Sequence, residues 1–167
     1  MSAYSAVSHG HAHDRLVALV REQVGKLNVV SRAFYSDKLG PFLERACTLT
    51  GQDMALPMNT GAEAVETAIK AARKWAYTVK GVADDQAEII ACTHNFHGRT
   101  ITIVAMSDEP QYKAGFGPFP PGFRRVEYGS IEALEAAIND NTAAFLVEPI
   151  QGEGGIIVPP EGYLKAA

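Results

Sequence analysis

The stretch NFHGR, residues 95–99, combines an aromatic ring and a guanidinium group after an apolar run. Phe96 could stack on a planar ring, and the two-pronged guanidinium of Arg99 could bind a carboxylate. A packed turn that carries a surface arginine explains the same residues. The stretch is therefore a candidate binding site but does not identify a function by itself.

A second candidate is VEPIQGEGG, residues 147–155, which contains two carboxylates, Glu148 and Glu153. Glu148 follows a very apolar run, where an ionised group must be paired or hydrogen-bonded. A structural ion pair would satisfy this requirement as well as a ligand would. The spacing of the two carboxylates does not name a reaction.

The third candidate is the helix start in MNTGAEAVETAIKAARKW, residues 58–75. Small residues at Thr60, Gly61 and Ala62 would leave backbone N–H groups accessible at the positive end of the helix dipole, which suits an anion. An ordinary capped helix without a ligand is the alternative, and many helices begin this way. No Gly-Lys-Ser/Thr follows, so the stretch is not a Walker phosphate loop.

The elements around these stretches follow from hydrophobic periodicity. Apolar stripes predict helices at about 14–26, 36–50 and 62–80, and a further helix that starts near Ser130. Apolar runs predict strands at 87–94, 123–128 and 143–150, whereas residues 99–107 fit a strand or a helix. Strands that alternate with helices indicate an α/β sheet with crossover helices, in which ligands bind beyond the carboxyl ends of the strands. All three candidate stretches fall there.

Composition limits the possible functions. The chain has 167 residues, 47% of them hydrophobic, and a net charge of −4. It can form a real core, and nothing favours binding to nucleic acid or to a membrane surface. No apolar run approaches the roughly 20 residues of a bilayer span, and no secretory signal is apparent. We expect a cytoplasmic protein.

Two groups of residues could suggest a metal or redox site. Cys47 and Cys92 lie far apart, which predicts buried thiols in a reducing compartment. The triplet His9, His11 and His13 would share one face of a strand, but no Asp, Glu or Cys is placed to complete a site. We predict no metal, and a solvated or packed histidine loop is the simpler interpretation.

Four motifs together resemble a known family, the class III pyridoxal-phosphate (PLP)-dependent aminotransferases. They are MNTGAEAVETAIKAARKW, NFHGRT, GFGPFPPGF and VEPIQGEGGIIVP, and they occur in the family's order. Within the family the chain is most similar to the ornithine aminotransferase branch, which MSAYSAVSHGHAH and SRAFYSDKLG also match. The resemblance runs from Met1 to Ala167.

The resemblance implies part of the type I PLP-dependent transferase fold: an α/β large domain with an incomplete sheet and flanking helices. Residues 1–50 would form an N-terminal helical segment that leads into this domain, and residues 51–167 its first part. Thr60, Gly61 and Ala62 would donate backbone hydrogen bonds to the PLP phosphate. Phe96 would stack on the pyridine ring, and Glu148 would support the cofactor.

The resemblance also implies substrates and their contacts. The δ-amino group of ornithine would pass to a 2-oxo acid, giving glutamate 5-semialdehyde, in a homodimer. Arg99 would pair with the α-carboxylate of ornithine, and Tyr4 and Tyr35 would line the pocket for its amino-acid end. Glu153 would lie near the substrate, where the family pairs it with an arginine further along the chain.

One requirement of the family is not met by these residues. Its Schiff-base lysine and the acidic partner of the pyridine nitrogen occupy later motifs, and none of the seven lysines here stands in that context. We therefore expect an amino-proximal fragment, roughly the first half without its true start, that is inactive alone. An acetylornithine or 4-aminobutyrate aminotransferase, or a non-catalytic truncated chain, are the alternatives.

Overall fold

The computed structural model describes residues 3–31 and 33–167. The chain divides into two compact units, Met1–Leu56 and Pro57–Ala167. The first unit contains α1 (Asp14–Val24) and α2 (Leu39–Thr50), which confirms both helices that periodicity predicts there. Gly51 ends α2 in a left-handed conformation, with φ of 69°. Among the described residues of this unit, neither helix has a fully buried side chain.

The second unit contains a three-stranded parallel sheet. Its strands are β1 (Glu88–Cys92), β2 (Phe123–Val126) and β3 (Thr142–Leu146), in the order β2-β1-β3. Because β1 is central, its side chains are almost fully buried, which explains its uninterrupted apolar sequence. All three strands were predicted, with ends that differ by a few residues.

Five helices accompany the sheet in the described part of this unit. The first is α3 (Gly61–Trp75), which continues into a π-helical turn at Ala76–Lys80. The others are α4 (Ile101–Val104), α5 (Pro110–Lys113), α6 (Ile131–Ala137) and α7 (Tyr163–Ala166). No helix among the described residues is both long and apolar enough to cross a membrane.

The structure resolves the ambiguity at residues 99–107 in favour of a helix. The Thr100 hydroxyl accepts a hydrogen bond from the Ile103 amide (3.4 Å), so Thr100 caps α4 despite the β-branched residues that follow it. By contrast, α5 was not predicted. It has four residues and depends on a side-chain cap from Glu109, which periodicity does not reveal.

The core lies on both faces of the sheet. On one face, Ile89 and Ala91 pack against Ile69 of α3. On the other, Ile90 packs with Leu134 of α6, because successive strand residues point to opposite faces. Cys92 is buried as predicted, but Cys47 is only half-buried, since α2 exposes most of its surface.

The edge at which the strands begin is closed by internal contacts. The Arg73 guanidinium donates a hydrogen bond to the Pro121 carbonyl (2.7 Å) and lies 5.1 Å from the centre of the Phe123 ring. Arg124 pairs with Glu88, with Nε and Oε2 2.7 Å apart. These contacts join α3 and two strands, so this edge contributes to stability.

Candidate active site

The opposite edge, where the strands end, brings Phe96 and Glu148 together. Phe96 lies in the loop after β1, and Glu148 lies two residues after β3 ends. The Phe96 amide donates a hydrogen bond to Glu148 Oε1 (2.8 Å). This half-buried carboxylate therefore has the hydrogen-bond partner that its burial requires. The contact ties the loops of two strands together.

Arg99 lies over two aromatic rings. Its guanidinium carbon is 5.4 Å from the centre of the Phe96 ring and 5.6 Å from that of Tyr112, within cation–π range. The two rings meet edge to face, with centres 6.3 Å apart. Within residues 3–31 and 33–167, the Arg99 guanidinium has no hydrogen-bond or ion-pair partner. Its N–H donors are therefore available to a ligand carboxylate.

The start of α3 has both satisfied and available backbone donors. The Thr60 hydroxyl accepts from the Glu63 amide (3.1 Å), and the Glu63 carboxylate accepts from the Asn59 amide (2.9 Å), a reciprocal capping arrangement. The first intrahelical bond runs from the Ala64 amide to the Thr60 carbonyl (3.0 Å). The amides of Gly61 and Ala62 precede that bond and can donate to an anion. A Cβ atom added at Gly61 would meet nothing within 4 Å.

Close packing places this helix start beside the NFHGR loop. Gly98 has a φ of 134°, and a Cβ atom there would lie 2.9 Å from Ile103 Cδ1 and 3.4 Å from Ala62 Cβ. Glycine is therefore required for both conformation and space. The Thr100 hydroxyl also donates a hydrogen bond to the Glu66 carboxylate of α3. Two of the three stretches that sequence singled out are thus neighbours.

Glu153 shares a cleft with Phe96. The cleft has a volume of about 400 Å³ and is lined by His94, Asn95, Phe96, Asp108, Glu109, Pro110, Tyr112, Glu153 and Gly154. A Cβ atom at Gly154 would lie 2.7 Å from the His94 carbonyl oxygen, so the two loops approach as closely as glycine allows. The third predicted stretch therefore contributes to the same region.

Comparison with known proteins identifies the family. The chain matches the aminotransferase class-III family over residues 1–167. It belongs to the class III aminotransferases. The predicted family is therefore confirmed.

This class III aminotransferase chain is 60% identical to the ornithine aminotransferase of Bacillus subtilis over 167 residues, which are all of this chain and 42% of the relative. It thus spans about two fifths of the length of the curated relatives it matches.

Two solved structures are similar to it over 99% of its length. An ornithine aminotransferase from Toxoplasma gondii, whose active site holds PLP at partial occupancy, has a TM-score of 0.94 and 48% identity, and 39% of that protein is covered. An acetylornithine aminotransferase from Elizabethkingia anophelis has a TM-score of 0.79 and 54% identity, with 40% covered. They confirm the predicted α/β fold class, and this chain forms part of their complete fold.

His97, between Phe96 and Gly98 in this class III aminotransferase chain, has no role predicted from the sequence. Its Nε2 is buried and has no hydrogen-bond partner among the described residues. Burial lowers the pKa of His97, and the charge of Glu148 only partly offsets this effect. The imidazole is therefore neutral at pH 7. Nothing in the sequence distinguishes it from an ordinary loop histidine.

The two tyrosines predicted to bind substrate lie in the first unit of the class III aminotransferase chain. The side chains of Tyr4 and Tyr35 are both exposed there. Their role stays a prediction. The histidine triplet is in the same unit, where the rings of His9 and His13 meet edge to face at 6.2 Å.

Proposed function

We propose that this chain is part of an ornithine δ-aminotransferase that uses PLP to transfer the δ-amino group of ornithine to a 2-oxo acid, giving glutamate 5-semialdehyde. The observation that carries the proposal is the guanidinium of Arg99, held over the Phe96 ring with its donors unpaired. The 60% identity to ornithine aminotransferases supports the same activity.

The residues fit the cofactor. The amides of Gly61 and Ala62, at the positive end of α3, would bind the phosphate, and the open space at Gly61 leaves room for it. Thr60 caps the helix and so orients these amides. The hydrogen bond to Glu148 fixes the loop that presents Phe96 to the ring. When bound, PLP supplies a ring that withdraws electrons from the carbon bearing the transferred amine.

The substrate would be held at its amino-acid end. Arg99 would bind the α-carboxylate of ornithine through two parallel N–H···O bonds, which suits its planar guanidinium. Tyr4 and Tyr35 would contact the same end of the substrate, and Glu153 would contribute charge beside the cleft that it shares with Phe96. With the carboxylate end fixed, the distal amine reaches the cofactor.

Three further features belong to the proposal. PLP-dependent transamination requires a lysine that forms a Schiff base with the cofactor. None of the seven lysines in residues 1–167 lines the described cleft. This chain alone would therefore be inactive. The assembly would be a homodimer. The free thiols of Cys47 and Cys92 support a reducing compartment, and we place the protein in the cytoplasm.

The second candidate is an acetylornithine aminotransferase, which the similarity to the Elizabethkingia anophelis structure favours. Both are tested by assaying the complete natural polypeptide that carries this sequence, with 2-oxoglutarate as acceptor. We expect kcat/KM for ornithine to exceed that for N-acetylornithine and 4-aminobutyrate by about 10-fold or more. A preference for N-acetylornithine would replace the proposal by its alternative.

A further inference from the structure

Tyr112 is presented to the site by α5, whose start is fixed by local hydrogen bonds. The Glu109 carboxylate accepts from the Gln111 amide (3.0 Å), and the Tyr112 amide donates to the Glu109 carbonyl (3.2 Å). The helix begins with a proline, whose fixed φ suits the first helical position. The backbone that carries Tyr112 is therefore well defined, although the helix has only four residues.

The ring of Tyr112 forms the second of the two aromatic contacts of Arg99. The guanidinium carbon is nearly equidistant from the Tyr112 and Phe96 ring centres, at 5.6 and 5.4 Å. Tyr112 is half-buried, whereas Arg99 is exposed. A flexible, exposed arginine is thus held by ring faces and not by hydrogen bonds, so holding it does not use its donors.

Tyr112 also lines two clefts. It lines the cleft that contains Phe96 and Glu153, and it lines a second cleft of about 280 Å³ together with Arg99 and Phe116. Removing the ring would take away one of the two aromatic contacts of Arg99 and so allow the arginine more rotamers. Each added rotamer raises the entropy that is lost when a ligand orders the side chain.

We propose that Tyr112 is a positioning residue that holds the Arg99 guanidinium ready to bind the substrate carboxylate. The inference rests on the proposed function of Arg99. It assigns the role to the ring and not to the hydroxyl, because a cation–π contact uses the ring face. Tyr112→Phe therefore keeps the ring that positions Arg99, whereas Tyr112→Leu removes it.

The kinetic test uses the complete natural polypeptide with its cofactor. In Tyr112→Leu, we expect KM for ornithine to rise about 2- to 5-fold, the factor that corresponds to losing one exposed cation–π contact, and kcat to stay within about twofold. KM for putrescine, a diamine without a carboxylate, should not change. Tyr112→Met, which fills the space with an unbranched side chain, should behave like Tyr112→Leu.

Phe119→Leu is the matched control. It removes a cation–π contact of similar length, between Lys113 Nζ and the Phe119 ring at 5.1 Å, without touching Arg99. We expect it to leave KM for ornithine unchanged. An equal rise in this variant would show that the region responds to any lost aromatic contact, which would overturn the proposal.

A binding measurement supplies a readout independent of activity. Sodium valerate, a carboxylate without an amine, is titrated into the complete natural polypeptide with its cofactor, and its Kd is measured by isothermal titration calorimetry, which serves the wild type and every variant alike. We expect Kd to rise in Tyr112→Leu by the same factor as KM, and Tyr112→Phe to match the wild type. Unchanged Kd and KM in Tyr112→Leu, or a loss in Tyr112→Phe, would overturn the role of the ring.

The roles of Arg99 and Tyr112 can be tested separately. If Arg99→Lys weakens valerate binding and Tyr112→Leu does not, the positioning role is wrong and the proposed function of Arg99 stands. If neither variant changes the binding of valerate or ornithine, Arg99 does not bind the carboxylate, and both are overturned.

Discussion

The two edges of the sheet differ in how they use their charges. At the edge where the strands begin, Glu88 accepts hydrogen bonds from Arg124 (2.7 Å) and Asn139 (2.8 Å), and Lys80 donates to the Thr142 carbonyl (2.8 Å). At the edge where they end, Arg99 has no such partner within the described chain. The charged groups named at the first edge are paired internally, whereas the second edge, where Glu148 is also paired, keeps the Arg99 guanidinium available to a ligand.

The two edges can be compared through one arginine at each, Arg73 where the strands begin and Arg99 where they end. Arg73 and Arg99 both lie over aromatic rings, at 5.1 Å and at 5.4 and 5.6 Å. Only Arg73 also donates to a backbone carbonyl, that of Pro121 (2.7 Å). An aromatic contact therefore does not separate a structural arginine from a binding arginine, whereas the use of the N–H donors does.

The largest expected effect on stability is the difference between these two arginines. Arg73→Ala removes a charge-assisted hydrogen bond and a cation–π contact and should lower the free energy of unfolding by about 1–3 kcal/mol. Arg99→Ala removes only exposed ring contacts and should cost no more than about 1 kcal/mol. Urea unfolding of the complete natural polypeptide measures both. Equal losses would mean that Arg99 is structural as well.

A smaller effect is expected in the pH dependence of stability, to which His97, in the loop after β1, and Glu88, at the start of β1, contribute in different pH windows. Burial lowers the pKa of His97, so the unfolded state binds more protons as pH falls below the usual histidine value of about 6.5. The contribution of His97 to the free energy of unfolding is complete above that pH, and it is lost as the pH falls through the folded-state pKa of His97. His97→Asn should flatten the stability profile below about pH 6.5.

Glu88, at the closed edge, should act in a lower window. Its hydrogen bond from Asn139, and then that from Arg124, lower the pKa of Glu88 below the usual value. Its stabilisation is therefore present above the unfolded-state pKa of about 4.3 and is lost as pH falls through the folded-state pKa. Glu88→Gln should flatten the dependence of stability on pH only below that unfolded-state pKa. If Glu88→Gln also changed the slope between pH 5.5 and 7.5, the separation of the two windows would be wrong.

Sequence patterns predicted the elements that carry an apolar stripe or run. In α3 and the three strands these residues form the core, whereas α1 and α2 have apolar stripes although neither helix buries a side chain fully in the described structure. The short helix α5 has none, since it is held by the Glu109 side chain. Residues 99–107 stayed ambiguous because β-branched residues favoured a strand, whereas the Thr100 cap favours a helix.

The site was predicted only as separate stretches. The residue types at Phe96, Arg99 and Glu148 indicated their chemistry, but their mutual contacts depend on the sheet that joins the ends of β1 and β3. The contact of Tyr112 with Arg99 spans the loop and α4, so no local pattern contains it. The unsatisfied nitrogen of His97 is likewise a result of packing.

The most direct test of the central claim is the loss of selectivity in Arg99→Lys, which keeps the charge but not the fork geometry. Measured on the complete natural polypeptide, kcat/KM for ornithine should fall about 10- to 150-fold, corresponding to about 1.5–3 kcal/mol of charge-assisted hydrogen bonding. The slow turnover of putrescine, which has no carboxylate, should change less than about twofold. Equal losses on the two substrates would contradict the claim that Arg99 binds the substrate carboxylate.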